Sequence, residues 1–261
     1  MMRPIKSFLS GLAVLAVLAI LIFTFWMRGR YVVPVMTYHH VSDTESGHSL
    51  NNVTPRSFAR QMKFLKERRY NVISFDDLSD GLKKGHVFAP NTVVIQFDDG
   101  YEDNYTNALP VLKQYHFPAM EFLISDMVGT PGFLTWDQVR EMDAQGFKAG
   151  AHTRHHVYLP DVSPDAARDE IAGSKKIIEE HLGHTIDHFC YPSGGFTGQV
   201  QGIVQEAGFK AAVTTNRGQD VLNRDLFAFR RIRMKDGDNA LVLWAKLSGY
   251  YNFFRKTKDA Y

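Results

Sequence analysis

A single cysteine, Cys190, in 261 residues excludes an intrachain disulfide and every zinc site assembled from paired thiolates. No sign of charge dominates, since 30 Lys+Arg stand against 28 Asp+Glu for a net +2. No Gly-x-Gly-x-x-Gly turn follows the first candidate strand, which argues against a dinucleotide-binding sheet. Internal repeats, low-complexity tracts and Pro/Gly-rich linkers are also missing, so solenoids and flexibly joined domains drop out. What is present is an ordinary globular composition, 44% hydrophobic and 22% charged, incompatible with disorder or with a multi-span membrane protein.

The charge is unevenly placed. Arg3, Lys6, Arg28 and Arg30 lie in the first thirty residues, which hold no acid, and the remainder carries 26 basic against 28 acidic residues, or −2. A slightly acidic body lacks the basic face of a phosphate-backbone binder, so nucleic acid is not an expected partner. Between those cations, Phe8–Met27 runs twenty residues without a charge, which at ~1.5 Å per residue matches the ~30 Å of a bilayer core. The run ends Phe23-Thr24-Phe25-Trp26-Met27 rather than in the small residues of a cleavage site, and reads as an uncleaved span. Expected are a cytoplasmic stub and anchor over residues 1–30, and a catalytic domain over 31–261 outside the cytoplasm, tethered to the cell membrane.

From Tyr31 onward, apolar runs alternate with amphipathic stretches. Strands are predicted at Val32–Tyr38, Asn71–Ser74, Thr92–Phe97, Ala119–Ile124, Lys148–Ala151, His188–Tyr191 and Phe209–Thr214. Helices are predicted at Pro55–Arg69, Asp76–Lys84, Asn104–His116, Thr135–Gln145, Ser163–His181 and Gln199–Ala207, several stopping at a glycine suited to a left-handed cap. Such β-α alternation predicts an α/β barrel of about seven parallel strands, with an open doubly wound sheet as the alternative. In either, ligand chemistry belongs at the C-terminal ends of the strands.

Unusual polar residues sit there. Asp98-Asp99-Gly100-Tyr101 follows Thr92–Phe97, and two adjacent carboxylates at a strand end suit a metal ligand beside a proton acceptor, or simply a turn. His152-Thr153-Arg154-His155-His156 follows Lys148–Ala151. Its histidines four apart are expected on one face of a helical turn, within reach of one cation, with His155 facing elsewhere. Thr153 stands where a metalloprotease has its glutamate, which excludes that mechanism.

Gln96-Phe97-Asp98-Asp99-Gly100 and His152-Thr153-x-x-His156 resemble the first two motifs of the polysaccharide deacetylases, which act on chitin, peptidoglycan and poly-N-acetylglucosamine. Tyr38-His39-His40, Phe189-Cys190-Tyr191-Pro192-Ser193-Gly194 and Phe229-Arg230-Arg231-Ile232-Arg233 resemble the exopolysaccharide deacetylase branch. The resemblance spans Val33 to Met234 and implies a deformed (β/α) barrel. It implies that Asp99, His152 and His156 hold one divalent metal, most simply Zn²⁺, with Co²⁺, Ni²⁺ or Fe²⁺ as alternatives. It makes Asp98 the general base and Ser193 an oxyanion donor, and places Tyr38, His40, Tyr101, Tyr191 and Pro192 around a polysaccharide substrate.

The chain departs from the family pattern twice. Cys190 stands where the third motif carries the arginine that orients the base, and Arg231 is the expected substitute. The last motif, Leu-x-His, has no histidine in Asn239–Ala245, so the general acid is unassigned, with His39 or His40 as candidates. The tail Leu241–Tyr261, with its aromatic cluster ahead of Arg255 and Lys256, reads as a closing barrel helix or a membrane-interface contact. The leading function is metal-dependent removal of N-acetyl groups from N-acetylhexosamine units of a cell-envelope or exported glycan. Alternatives are a silent glycan binder, an O-deacetylase of xylan or another acetylated glycan and, more distantly, an iron oxygenase. Substrate choice is expected in loops such as Ser42–Asn52 and Asp126–Phe133.

Overall fold

The computed structural model describes Leu15 and residues 17–27, 29–43 and 51–261. The first part of the expected span Phe8–Met27, the cytoplasmic stub and residues 44–50 of the Ser42–Asn52 loop lie outside the described residues. Residues 17–27 are helical, and the apolar side chains of 17–26 are exposed. Among the described residues no helix is long and apolar enough to cross a membrane.

Strands β1 (Val35–Tyr38), β5 (Thr92–Asp99), β6 (Ala119–Leu123), β7 (Phe147–Ala151), β8 (His188–Cys190) and β9 (Ala211–Thr214) pair in parallel in the order β1-β5-β6-β7-β8-β9. Short β4 (Asn71–Val72) pairs with the start of β5, and β2 (His40–Val41) pairs with β3 (Asn52–Val53) apart from the main sheet. The ends of the sheet are joined by one segment. Its first half, β10 (Phe229–Arg230), pairs with β9, and its second half, β11 (Ile232–Arg233), pairs with β1. Arg231 is the residue between the halves, so the barrel closes there.

Helices wrap the sheet: α1 (Pro55–Glu67), α2 (Phe75–Lys83), α3 (Leu109–Tyr115, entered through a π-helical turn at Asn104–Ala108), α4 (Trp136–Ala144), α5 (Pro164–Leu182), α6 (Gly198–Glu206) and α7 (Ala240–Lys246). Their starts follow local chemistry. Thr54, Ser74, Ser163 and Thr197 each accept a backbone N–H from the first turn, and Thr135 with Gln138 forms a reciprocal capping box.

Strand alternation divides the core. Met36, Tyr38, Ile95, Phe97 and Phe189 join Phe58, Met62 and Leu65 of α1 in the layer beneath the helices. Val35, Val94, Met120, Phe122, Val213 and Phe229 fill the barrel itself. Higher on the same inward-facing rows stand Thr37, Gln96, Asp98 and Cys190, all buried. The interior is therefore apolar at the N-terminal ends of the strands and polar at the C-terminal ends.

This alternation corrects one expectation. Tyr38 points outward, donates its hydroxyl to Gln61 Oε1 of α1 at 2.6 Å and packs against Phe58 and Phe97, so it does not reach the substrate side. The tail is likewise not one closing helix. After the short α7 it runs as a strap along residues 216–218, with Lys258 N donating to Asn216 O at 3.0 Å and Gly218 N to Lys258 O at 3.1 Å. Leu241 and Trp244 remain exposed.

Interior packing is tight at Gly150, paired with Phe122 across β6 and β7. A Cβ there would meet Phe122 ring atoms at 2.6 Å and the His188 carbonyl at 3.2 Å. Gly150→Val is therefore expected to destabilise by about 1–3 kcal/mol, read as a lowered urea midpoint with an unchanged slope.

Candidate active site

Asp98 ends the inward row of β5 and is buried. Arg231, itself 1% exposed, meets it fork to fork: Nη1 donates to Oδ1 at 2.6 Å and Nη2 to Oδ2 at 2.7 Å. The guanidinium is fixed from behind by Nε, which donates to the Thr214 carbonyl at 3.0 Å. Burial alone would raise the Asp98 carboxyl, but the charge and hydrogen bonds of Arg231 outweigh it and hold that carboxyl well below the usual carboxylate range. Cys190 Sγ lies 3.1 Å from Arg231 Nη2 and 3.7 Å from Asp98 Oδ1. The small side chain on β8 leaves room for an arginine arriving from the closing segment, as the sequence leads one to expect. Burial pushes the Cys190 thiol up, so it is not a ready nucleophile.

Asp99 turns away from Asp98, at φ 80°. Its Oδ1 lies 3.5 Å from His152 Nε2 and 3.6 Å from His156 Nε2, and it is buried without a hydrogen-bond partner. Ligand atoms ~2.0–2.1 Å from a tetrahedral cation are about 3.4 Å apart. An orphaned carboxylate oxygen facing two imidazole nitrogens at that spacing fits a divalent cation. His152 Nδ1 lies 2.7 Å from the Cys190 carbonyl, which turns Nε2 toward the site. Burial, together with the neighbouring His152, lowers His156, whereas for His152 burial is outweighed by the pull of Cys190 and Asp99, which raises it well above its ordinary value, so a bound metal would displace the His152 proton. A second trio, Asp98, His152 and Cys190, also comes together; there the carboxylate is already bound by Arg231 and the thiol is protonated.

The convergence of His152 and His156 does not come from a helix. Residues 152–156 form an irregular loop with Thr153 at φ 64° and His156 at φ 58°. Thr153 Oγ1 accepts the His156 N–H at 2.9 Å. Glu170 of α5 accepts the backbone N–H groups of Arg154 and His155 at 2.9 and 3.0 Å through Oε2, and its Oε1 lies 2.7 Å from His155 Nδ1. His155 thus faces away from the site, as expected. Arg154 binds Asp126 at 2.9 Å, which ties the Asp126–Phe133 loop to the histidine loop. Under the other ligand, Glu121 accepts the Gly100 N–H at 3.1 Å. Burial, reinforced by the charge of Asp98, raises the Glu121 carboxyl well above its ordinary value. Sequence reasoning missed both supports. A lone acid inside the apolar Ala119–Leu123 strand was the available signal for Glu121, whereas Glu170 is indistinguishable from any other helix-surface glutamate.

His39 Nε2 lies 3.8 Å from Asp98 Oδ2, and burial lowers its pKa against the pull of the two aspartates. His40 is held elsewhere: Nδ1 is 2.6 Å from Asp103 Oδ2, and the ring stacks on Tyr101 with centroids 3.5 Å apart. Burial and the Asp99 charge raise the Tyr101 phenol. Tyr191 lines the cavity but commits its hydroxyl to the Phe227 carbonyl at 3.0 Å. Ser193 follows the buried Pro192 at φ 53° and faces the same cavity. Its turn needs Gly194, at φ 73°, where a Cβ would lie 2.6 Å from Thr215 N. The cavity has about 480 Å³ and brings Asp98, Asp99, His152, His156, His39 and Arg231 together. His40, Tyr101 and Pro192 border this group without lining it.

Known proteins resemble this chain in sequence and in fold. A family model described as polysaccharide deacetylase matches residues 86–212. The chain is 31% identical over 205 residues, 78% of its length and 72% of the relative's, to YxkH of Bacillus subtilis (strain 168), a protein provisionally assigned as a polysaccharide deacetylase. It is 26% identical over 199 residues, 71% of this chain and 68% of the other, to the poly-beta-1,6-N-acetyl-D-glucosamine N-deacetylase of Staphylococcus aureus (strain MRSA252). Among solved structures, the Streptococcus pyogenes deacetylase PplD in complex with acetate superposes with a TM-score of 0.77 at 27% identity, over 82% of this chain and 97% of that one.

Removing one partner of a buried ion pair leaves the other charge uncompensated, at a cost of about 3–5 kcal/mol. Arg231→Ala should lose stability on that scale in urea unfolding near neutral pH. The folded Asp98 pKa lies below the unfolded value of ~3.9, so the pair's stabilisation is complete above that value. It is lost as pH falls through the lower folded pKa, and the deficit of Arg231→Ala should shrink only in strong acid.

Proposed function

The chain belongs to the polysaccharide deacetylase family, and from that premise we propose that it hydrolyses the N-acetyl groups of N-acetylhexosamine units in a cell-envelope or exported polysaccharide. The observation that carries this reading is the Asp98–Arg231 fork beside the Asp99–His152–His156 cluster in one cavity. The named activity of the staphylococcal relative supports the N-acetyl specificity.

Asp99, His152 and His156 would hold one divalent cation, with zinc as the natural occupant of a two-histidine, one-carboxylate set. When bound, it supplies Lewis-acid polarisation of the amide carbonyl and acidifies water. Asp98 keeps acceptor capacity on both oxygens beyond the two bonds from Arg231, and takes the proton of the water that attacks the acetyl carbon. Arg231 keeps that carboxylate ionised and fixes its orientation. The proton taken at Asp98 Oδ2 then has His39 Nε2 3.8 Å away as its route to the departing nitrogen. In this scheme His39 performs the task that the missing Leu-x-His histidine would serve. Its lowered pKa keeps the ring neutral and able to accept before it donates. Ser193, in its left-handed turn, offers its backbone N–H to the developing oxyanion.

The uncharged run Phe8–Met27 supports tethering to the cell membrane with the catalytic domain outside the cytoplasm, and the exposed apolar helix at 17–27 accords with it.

Two outcomes are expected. Asp98→Asn should reduce acetate release from N-acetylhexosamine oligosaccharides by ~10²–10⁴ in kcat while retaining metal affinity, since Asp98 is not a ligand. Asp99→Ala and His152→Ala should lose zinc binding, measured by calorimetry, and acetate release together. Acetate release unaffected by chelation, or a fully active Asp98→Asn, would refute the scheme. Release from O-acetylated xylan alone would reassign the bond from amide to ester.

A further inference from the structure

The cavity that holds Asp98 is also lined by Arg217, Arg233, Arg255 and Lys258. Among the described residues its acids, Asp98 and Asp99, do not balance them. Asp98 is matched by Arg231, and Asp99 faces the histidines, where a bound cation would add positive charge. None of the four forms an ion pair with a carboxylate among the described residues.

Two of them are held in place without being neutralised. Arg217 donates to the carbonyls of Ser193 at 3.2 Å and Asp259 at 3.0 Å, and Arg255 to the Arg231 carbonyl at 2.7 Å. A carbonyl acceptor fixes a guanidinium but leaves its full charge. Behind them, Arg230 is 1% exposed, with Nε and Nη1 unpartnered. Burial and the repulsion of Arg230 and Arg233 push Arg255 down to about 10. The protein body is acidic outside its first thirty residues, so this concentration of cations is local.

The four reach the cavity from three segments, the first shared with Arg231. Arg231 and Arg233 lie two apart on the closing segment and share a face. Arg217 follows β9, and the tail strap along 216–218 carries Arg255 and Lys258 to the same wall. Together they form one cationic wall beside the catalytic carboxylate.

Taking the deacetylase reading as given, we propose that this wall selects a glycan in which the residue next to the N-acetylhexosamine carries an anionic group, a carboxylate or a phosphodiester. A neutral homopolymer gains nothing from desolvating four cations. Each acetyl group removed from it also leaves an ammonium that the wall repels, so repeated turnover along one chain is self-limiting. On a polymer of alternating anionic and N-acetylated residues, the product is zwitterionic and the wall keeps its partners.

The test compares acetate release by the metal-loaded protein from three oligosaccharides of equal length: neutral N-acetylglucosamine, N-acetylglucosamine alternating with glucuronate, and N-acetylglucosamine joined by phosphodiesters. Binding of each is measured in parallel by calorimetry. Either anionic form should exceed the neutral one by ~10-fold or more in kcat/KM at low salt, and the preference should shrink as salt rises. The two anionic arms separate carboxylate from phosphate. In Lys258→Glu combined with Arg233→Gln the ratio should fall toward one. Acetate release with equal or better use of the neutral substrate overturns the proposal and leaves the deacetylase reading standing. Absence of release from all three overturns the deacetylase reading instead, and the binding data then decide: tighter binding of the anionic forms supports the wall, and equal or weaker binding refutes it.

Discussion

The bidentate bond between Arg231 and Asp98 is the constraint on which the rest of the site depends. One end belongs to the segment that closes the barrel, pairing with β9 on one side and β1 on the other. The other end is a buried carboxylate that lines the cavity. In the proposed scheme, closure and catalysis therefore share one interaction. Because the carboxylate is buried, its charge is tolerable only while the guanidinium is present. Barrel closure in turn places that guanidinium, through the Thr214 carbonyl, within reach of the Asp98 carboxylate.

Around this fork the backbone is held in conformations that ordinary residues avoid. Asp99, His156 and Ser193, which line the cavity, and Thr153, which accepts the His156 N–H, all have positive φ. Such conformations persist only when neighbours over-determine them. Here the determinants are identifiable: Glu121 on the Gly100 amide, Thr153 on the His156 amide, Glu170 on the Arg154 and His155 amides, and the tight packing at Gly194. Strain concentrated at the site, with rigid strands beneath it, is the pattern expected of a site that must hold its ligand atoms in place before anything binds.

Much of this was legible in the sequence where periodicity carries information. The β-α alternation gave β1 and β4 to β9 to within a few residues, because strand and helix periods differ and glycine marks the helix ends, but not the closing pair β10 and β11, whose two residues each are too short to show a period. Asp98, Asp99, His152 and His156 stood out through their combination and its resemblance to the deacetylase motifs, since the paired aspartates alone read equally as a turn. The histidine pair was found for a helical reason, although a loop with two left-handed residues brings it together. Tyr38 was misplaced because its neighbours in the motif face the barrel interior and strand alternation sends it to the other face. Arg231 was inferred from the cysteine at position 190, but its partner lies 133 residues away, a separation that no local pattern encodes. The cationic wall was invisible for the same reason: Arg217, Arg233, Arg255 and Lys258 read as scattered surface charges until the tail strap and the closing segment bring them to one wall.

If Arg231 acts through Asp98, the two form a single functional unit, and the direct measurement is a double-mutant cycle on kcat/KM for acetate release with Asp98→Asn, Arg231→Gln and the double variant. Residues that act as a unit are non-additive, so the double variant should be no slower than Asp98→Asn alone. Losses that multiply, with the double variant slower by the product of the two single effects, would contradict the account by showing that Arg231 and Asp98 contribute independently.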